Sequence, residues 1–206
     1  MQSDSAISLP AKQTDGYDLI LNQAEMLFQD QGYNQVSMRN IAEAVGMRQA
    51  SLYYHFSSKE QLFIAVRERI FEHHQRGLKQ SLAGAEQELR SQLQVAAAWF
   101  LSQPPIKFLG MMQSDMPSLS AEAQQHLLQV ATQCVFNPIQ QIFILAEENQ
   151  QIRPVSPKLL TGFFLSLVES IHQFQDTCEC GSGVMMAEEM IAVLLQGVHL
   201  PAVLKK

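Results

Sequence analysis

Residues 36–60, VSMRNIAEAVGMRQASLYYHFSSKE, restrict the fold more than any other stretch, because they read as two short helices joined by a tight turn and followed by a capped third helix. That arrangement is a helix-turn-helix, which places side chains in a DNA major groove. Ser37 is a favoured N-cap type, and Ile41, Ala42 and Val45 follow at helical spacing toward a core. Gly46 supplies the turn, since glycine takes positive φ without steric cost. The next helix is expected from about Arg48 to His55, burying Leu52 and Phe56, which are four residues apart on one face. At about 100° per residue, Ala50, Ser51 and Tyr54 then point away from Leu52, with Gln49, Tyr53 and His55 on the flanks and Arg48 at the N-terminal tip. These small, hydrogen-bonding or aromatic types suit close approach to base edges and phosphates. Ser57 and Glu60 fit a capping box opening the third helix, where Lys59 adds positive charge to a helix N-terminus.

The stretch from about Thr14 to Glu72 resembles the DNA-binding domain of the TetR family of bacterial repressors. The resemblance rests on an amphipathic first helix with Ile20, Ala24, Leu27 and Phe28, a Gly32-Tyr33 corner, Ile41-Ala42 with Gly46, and the run from Leu52 to Phe56 followed by Ser58, Lys59 and Glu60. It implies that Ser37, Tyr53, His55 and Lys59 hold phosphates and that Arg48, Gln49, Ala50 and Tyr54 lie at or near bases. Arg39 and Ser51 complete the expected DNA-binding set. Arg48 departs from the family pattern, standing where many members have a small capping residue. An arginine there fits a guanine or phosphate contact better than a cap.

Charge narrows the mode of binding. Residues 1–76 carry seven Lys and Arg against nine Asp and Glu, and residues 77–206 carry seven against eleven, within a chain of net charge −6. An acidic chain does not hold nucleic acid by its overall field. From Ser37 to Lys59, however, Arg39, Arg48 and Lys59 face only Glu43. A small basic footprint on an acidic body favours one specific, salt-sensitive site.

The 206 residues allow one ordinary domain plus a small one, and 47% hydrophobic with 17% charged residues is usual for a globular chain. No apolar run approaches the roughly 18 residues needed to cross a bilayer, and MQSDSAISLPAKQ lacks the order of a signal peptide. A cytoplasmic location without membrane contact is therefore expected. The expected organisation is all-α: residues 1–13 a flexible arm, residues 14–76 a three-helix helix-turn-helix DNA-binding domain, and residues 77–206 a helical ligand-binding and dimerisation domain.

Beyond residue 77 the apolar spacing is helical, without strand alternation. Helix four is expected to continue through Phe63, Val66 and Ile70 toward Leu78, with a break at Gly84 and a helix over about 86–102. Pro104-Pro105 opens a short helix, and Pro138 should kink a long helix from about Ser120 to Gln150. Ser156-Pro157 reads as an N-cap with proline at the first helical position. Helices 158–175 and 184–199 are apolar over more than one face. That width fits a core on one side and a second subunit on the other, and the family resemblance implies the same homodimer. Phe164, Val168, Ile171, Met190, Val193, Leu194 and Gly197 are the expected interface.

The resemblance also implies a small-molecule effector in the body. Trp99, Phe100, Phe108, Met111, Met112, Met116, Phe136, Phe163 and Leu167 are the expected apolar wall, with Gln113, Gln133 and Asn137 as polar groups and His126 and His172 nearby. The function expected is a ligand-responsive repressor that binds a palindromic double-stranded operator as a dimer and is released by an apolar or amphipathic effector, with no cofactor or metal. The alternative is a thiol- or metal-responsive regulator with the same head, using Cys134 or the Cys178 and Cys180 pair in TCECGSG. No Ser/His/Asp set, phosphate loop or paired-acid constellation supports an enzyme.

Overall fold

The computed structural model describes residues 14–174 and 182–198, so the expected N-terminal arm 1–13 and Cys178 and Cys180 lie outside the described residues. Among those described, the chain is helical and contains no strand. It divides into two compact units: the described residues up to Arg67 together with Leu109–Gln124, and Glu68–Phe108 together with the described residues from Gln125.

In the first unit, α1 (Thr14–Gln35) buries Ile20, Leu21, Ala24 and Phe28 at three- and four-residue spacing. Its helical line breaks at Gly32, where φ is 77° and ψ 166°, a conformation open to glycine because it has no Cβ. The break turns Tyr33 into the core, its ring 6.1 Å from Phe28 and 5.0 Å from Phe63, while Phe28 and Phe63 meet edge to face at 5.1 Å. Next come α2 (Met38–Val45), α3 (Gln49–His55) and the start of α4 (Lys59–Leu82), whose residues from Glu68 belong to the second unit; they add Ile41, Leu52 and Leu62, each fully buried. Residues 109–124 also belong here. They include the end of the single turn α6 (Phe108–Gly110), a π-helical turn (Met111–Asp115) packed on α1, a 3-10 turn (Met116–Ser118) and the start of α7 (Ala121–Ala131).

The Ser57–Glu60 capping box does not form. Ser58 Oγ accepts the Gln61 amide at 3.1 Å, Ser57 Oγ donates to Gln61 Oε1 at 2.7 Å, and the Glu60 carboxylate bonds to Ser120 instead. Two serines stand side by side at this N-terminus, and the nearer one caps because the helix begins one residue later than the motif implies.

In the second unit, α5 (Leu89–Leu101), α8 (Asn137–Glu148), α9 (Pro157–Phe174) and α10 (Gly183–Val198) pack on one another. The expected α5 stripe of Leu89, Leu93, Ala97 and Phe100 is buried. The helix begins at Leu89 rather than near 86, because the Leu89 amide donates to Gln151 Oε1 at 3.1 Å, a cap supplied from a distant loop. The long helix adjusts to Pro138 just upstream of it: Thr132–Phe136 widens to a π turn in which the Asn137 amide reaches back to the Thr132 carbonyl. Ser156 accepts the Leu159 amide at 3.4 Å ahead of Pro157, as the Ser-Pro start implies. At the far end of α10, Arg153 donates from its guanidinium to the Gly197 carbonyl at 3.1 and 3.2 Å and from its amide to Val198 at 2.9 Å, which satisfies terminal carbonyls.

The α9 and α10 faces differ from expectation in register. Phe164, Val168 and Ile171, expected at a subunit interface, are buried within the chain, whereas Phe163, expected inside, is 52% exposed. On α10 the buried stripe is Ala187, Ile191, Leu195 and Val198, leaving Met190 and Leu194 half-buried, Gly197 exposed and Val193 71% exposed. Both helices are apolar nearly all round, so periodicity alone does not say which stripe faces inward.

Candidate nucleic-acid interface

The turn between α2 and α3 is built from its caps. Ser37 Oγ accepts the Asn40 amide at 3.2 Å while Asn40 Oδ1 accepts the Ser37 amide at 3.0 Å, a reciprocal box that fixes the start of α2. Gly46 closes it in the left-handed region, φ 76° and ψ 29°, with its own amide and that of Met47 returned to α2 carbonyls. α3 then leaves with Leu52 fully buried and Phe56 stacked on Tyr17 at 5.1 Å. These anchors hold the opposite face of α3 outward.

That face carries the expected residues. Arg48, Gln49, Ala50 and Ser51 are exposed, Tyr53 is 46% and Tyr54 80% exposed, and His55 is half-buried with its ring edge to face with Tyr54 at 5.6 Å. Arg48 occupies the N-cap position in extended conformation without a side-chain capping bond, so capping does not occupy its guanidinium. Apart from its edge contact with His55, the 80% exposed Tyr54 ring turns its apolar area outward, as a contact surface for another molecule requires.

Two of the expected DNA-binding residues are engaged within the chain. Arg39 is bonded to Glu43 at 2.8 Å, an exposed i,i+4 pair of small worth that a phosphate can displace. Lys59 is held more firmly: its ammonium donates to the Tyr33 carbonyl at 2.8 Å and the Val36 carbonyl at 3.0 Å and lies 4.0 Å from the centre of the Tyr33 ring. Burial pushes the Lys59 pKa down. It also raises that of Tyr33, with Glu60 adding to the effect. The sequence presents Lys59 as a charge at a helix N-terminus. Its tie to the Gly32-Tyr33 corner is a contact across 23 to 26 residues that no local motif encodes.

The residues expected to wall one effector cavity fall in both units. Met111 and Met116 are buried, Met112 half-buried and Gln113 exposed in the first. In the second, Phe100 is buried, Leu167 half-buried, and Phe108 meets Phe136 edge to face at 5.1 Å. Trp99 rests against α4, its ring 5.4 Å from that of His73, with its indole Nε1 buried and unpartnered. Gln133 and Asn137 are exposed. His126 Nε2 lies 2.6 Å from Glu68, and His172 Nε2 3.3 Å from the Phe100 carbonyl. A groove that sequence reasoning missed runs along the outer face of α9, about 500 Å³ in volume and open to solvent, lined by Ser156, Lys158, Leu159, Gly162, Phe163 and Ser166. Its signal was the small residues Gly162 and Ser166 beside exposed Phe163. Cys134 is a buried free thiol, and no cluster of three or more metal-ligating side chains occurs among the described residues. No described helix is long and apolar enough to cross a membrane.

Comparison with known proteins places the turn in a family. Residues 20–66 match the profile of the bacterial regulatory proteins of the tetR family. A 46-residue stretch is 41% identical to the biofilm operon icaADBC HTH-type negative transcriptional regulator IcaR of Staphylococcus aureus, and 37% identical to its namesake in Staphylococcus epidermidis. The match covers 22% of this chain and spans only about a quarter (25%) of those relatives. Among solved structures, AibR in complex with isovaleryl coenzyme A and operator DNA aligns with TM-score 0.73 at 23% identity, covering 88% of this chain and 98% of that one. A tetR-family regulatory protein from Rhodococcus aligns with TM-score 0.75 at 16% identity, covering 92% and 100%. At such identities the structures establish a shared fold. Residues 20–66 match the tetR family of bacterial regulatory proteins, within a helical fold shared with the solved structures over most of the chain's length.

Proposed function

We propose that the chain is a repressor that binds a palindromic DNA operator as a homodimer and is released by a small apolar or amphipathic effector. The outward face of α3 carries this reading: Arg48 and Gln49 at its start, Ala50 and Ser51 small enough for close approach, and Tyr54 80% exposed. Arginine and glutamine are the side chains that read guanine and adenine with paired hydrogen bonds, while Ser37, Tyr53, His55 and Lys59 are assigned to phosphates and Arg39 to the same DNA-facing set.

A single seven-residue helix reads few base pairs, and two copies about one DNA turn apart read a palindrome. The second copy is assigned to the apolar residues left outside on α9 and α10, Leu159, Phe163, Val193 and the half-buried Met190 and Leu194. Release by an effector is supported by AibR, solved with both an acyl coenzyme A and operator DNA, and repression by the negative regulator IcaR. For the thiol alternative, Cys134 is unfavourable: burial, and then Glu72, push its pKa up, so it stays protonated at neutral pH and a poor nucleophile.

Selection of duplexes from a random pool, followed by gel shift across salt concentrations, tests the reading. An enriched palindrome bound with a steep salt slope is expected. No enrichment over scrambled duplexes overturns it.

A further inference from the structure

The α2 helix turns Met38, Ile41 and Ala42 into the core and leaves Arg39, Asn40 and Glu43 outside. Asn40 is taken up in the reciprocal box with Ser37, so its side chain serves the start of the helix. Arg39 and Glu43 meet one turn apart, and the bond between them runs from Arg39 Nε to Glu43 Oε1 at 2.8 Å. It grips the side of the guanidinium and leaves out both terminal nitrogens, on a side chain that is 77% exposed. A guanidinium held at Nε keeps its terminal fork in a fixed plane. That fork makes two parallel hydrogen bonds to paired acceptors, such as the oxygens of a phosphate or O6 and N7 of a guanine.

Glu43 is also the one acid between Ser37 and Lys59, a stretch that carries Arg39, Arg48 and Lys59. On charge alone, a carboxylate on a surface that meets phosphates weakens the contact. We propose that Glu43 is a positioning residue for DNA recognition, holding the Arg39 guanidinium by Nε so that its terminal nitrogens reach paired DNA acceptors already oriented. The proposal rests on the DNA-binding reading of α3. An exposed i,i+4 pair is weak by itself, but here it need only be kept when DNA arrives, not broken. A side chain held beforehand loses less freedom on binding.

Gel shifts of Glu43→Ala, Glu43→Gln, Arg39→Ala and the double variant Arg39→Ala/Glu43→Ala test it, on the duplex enriched from a random pool and on its scrambled and single-base variants. Charge and positioning predict opposite signs. Removing a carboxylate by charge alone tightens binding, whereas positioning predicts that Glu43→Ala weakens it about fivefold, within the coupling usual for residues in contact. Glu43→Gln keeps an acceptor oxygen for Nε without the charge and should bind at least as tightly as wild type. In the Arg39→Ala background, Glu43→Ala should no longer weaken binding. Weakening confined to duplexes that keep one G·C pair assigns the fork to a guanine, and equal weakening on every duplex assigns it to a phosphate. Binding by Glu43→Ala as tight as wild type, a Gln variant as weak as the Ala variant, or the same loss without Arg39 overturns the proposal and leaves the DNA-binding reading standing. A wild-type chain that binds no duplex overturns both.

Discussion

The Trp99 indole fills the space that a side chain on Gly77 would need: a β-carbon at residue 77 would lie 1.8 Å from Trp99 Cζ2, within bonding distance rather than contact. Gly77 sits in the last turns of α4, where alanine is ordinarily preferred by about 1 kcal/mol. The ring is rigid and cannot yield as a flexible chain end would. Gly77→Ala is therefore expected to destabilise the protein by about 1–3 kcal/mol despite its better helix propensity. Because Trp99 is the single tryptophan, its emission should shift with the melting temperature. An unchanged spectrum with a raised melting temperature would contradict the packing.

Lys59→Met separates two roles. The ammonium closes carbonyls at the end of α1, and hydrogen bonds to charged groups are worth about 1.5–3 kcal/mol. The variant should lower thermal stability by an amount in this range, and part of any loss of DNA binding should return on cooling. If stability is intact while binding to specific and scrambled duplexes falls equally, Lys59 serves as a phosphate ligand rather than a cap.

What the sequence shows and what it hides divide along contact distance. The caps Ser37 and Gly46, the anchors Leu52 and Phe56 and the outward Tyr54 all follow from spacing within a few residues, and the structure places them so. Glu60 shows the limit: its capping-box spacing is present, but its carboxylate bonds to Ser120, 60 residues away, and local pattern carries no trace of such a partner. On α9 and α10 the limit is different. Leu, Ile, Val, Met and Phe surround both helices, so burial of Phe164 over Phe163 is decided by packing, not by periodicity. The expected effector wall gathered residues by type, and the fold distributes Met111 and Phe136 to different units.

Alkaline stability should report Tyr33. Its folded pKa is raised by burial and by Glu60, so above pH 10 the unfolded chain releases the phenolic proton before the folded chain does. Stability is then intact below the unfolded value and falls as pH rises from about 10 through the folded pKa. Melts between pH 9 and 11 should fall more steeply in wild type than in Tyr33→Phe. Parallel curves would remove Tyr33 from the linkage.

Val193→Glu and Phe163→Glu test assembly. Both positions are more than half exposed, at 71% and 52%, so a charge there meets water in an isolated chain and costs little. Across a subunit interface the same charge is buried unpaired, which costs several kcal/mol. The variants should stay folded by circular dichroism yet become monomeric in light scattering and lose operator binding. Leu195→Glu, at a 2% exposed position, should unfold the chain and serves as the contrast. A wild-type chain that is monomeric at micromolar concentration would end the proposal that these faces pair.

Gln49→Ala and Arg48→Ala should relax sequence preference, whereas Tyr53→Ala should weaken binding to every duplex alike. Gln49 and Arg48 stand at the N-terminal tip of α3, which the proposed complex puts in a groove, and a paired contact from either would discriminate a base by about 1–3 kcal/mol. That range is roughly 5- to 150-fold between the enriched operator and one with a single changed base. Tyr53 lies on the flank of α3, where in the proposed complex its hydroxyl would meet the DNA backbone and carry no base information. Gel shifts on the enriched palindrome and its single-base variants measure the ratio. If the Gln49 and Arg48 variants keep the wild-type ratio while losing affinity, both residues hold phosphates, and base readout moves to Ala50, Ser51 and Tyr54.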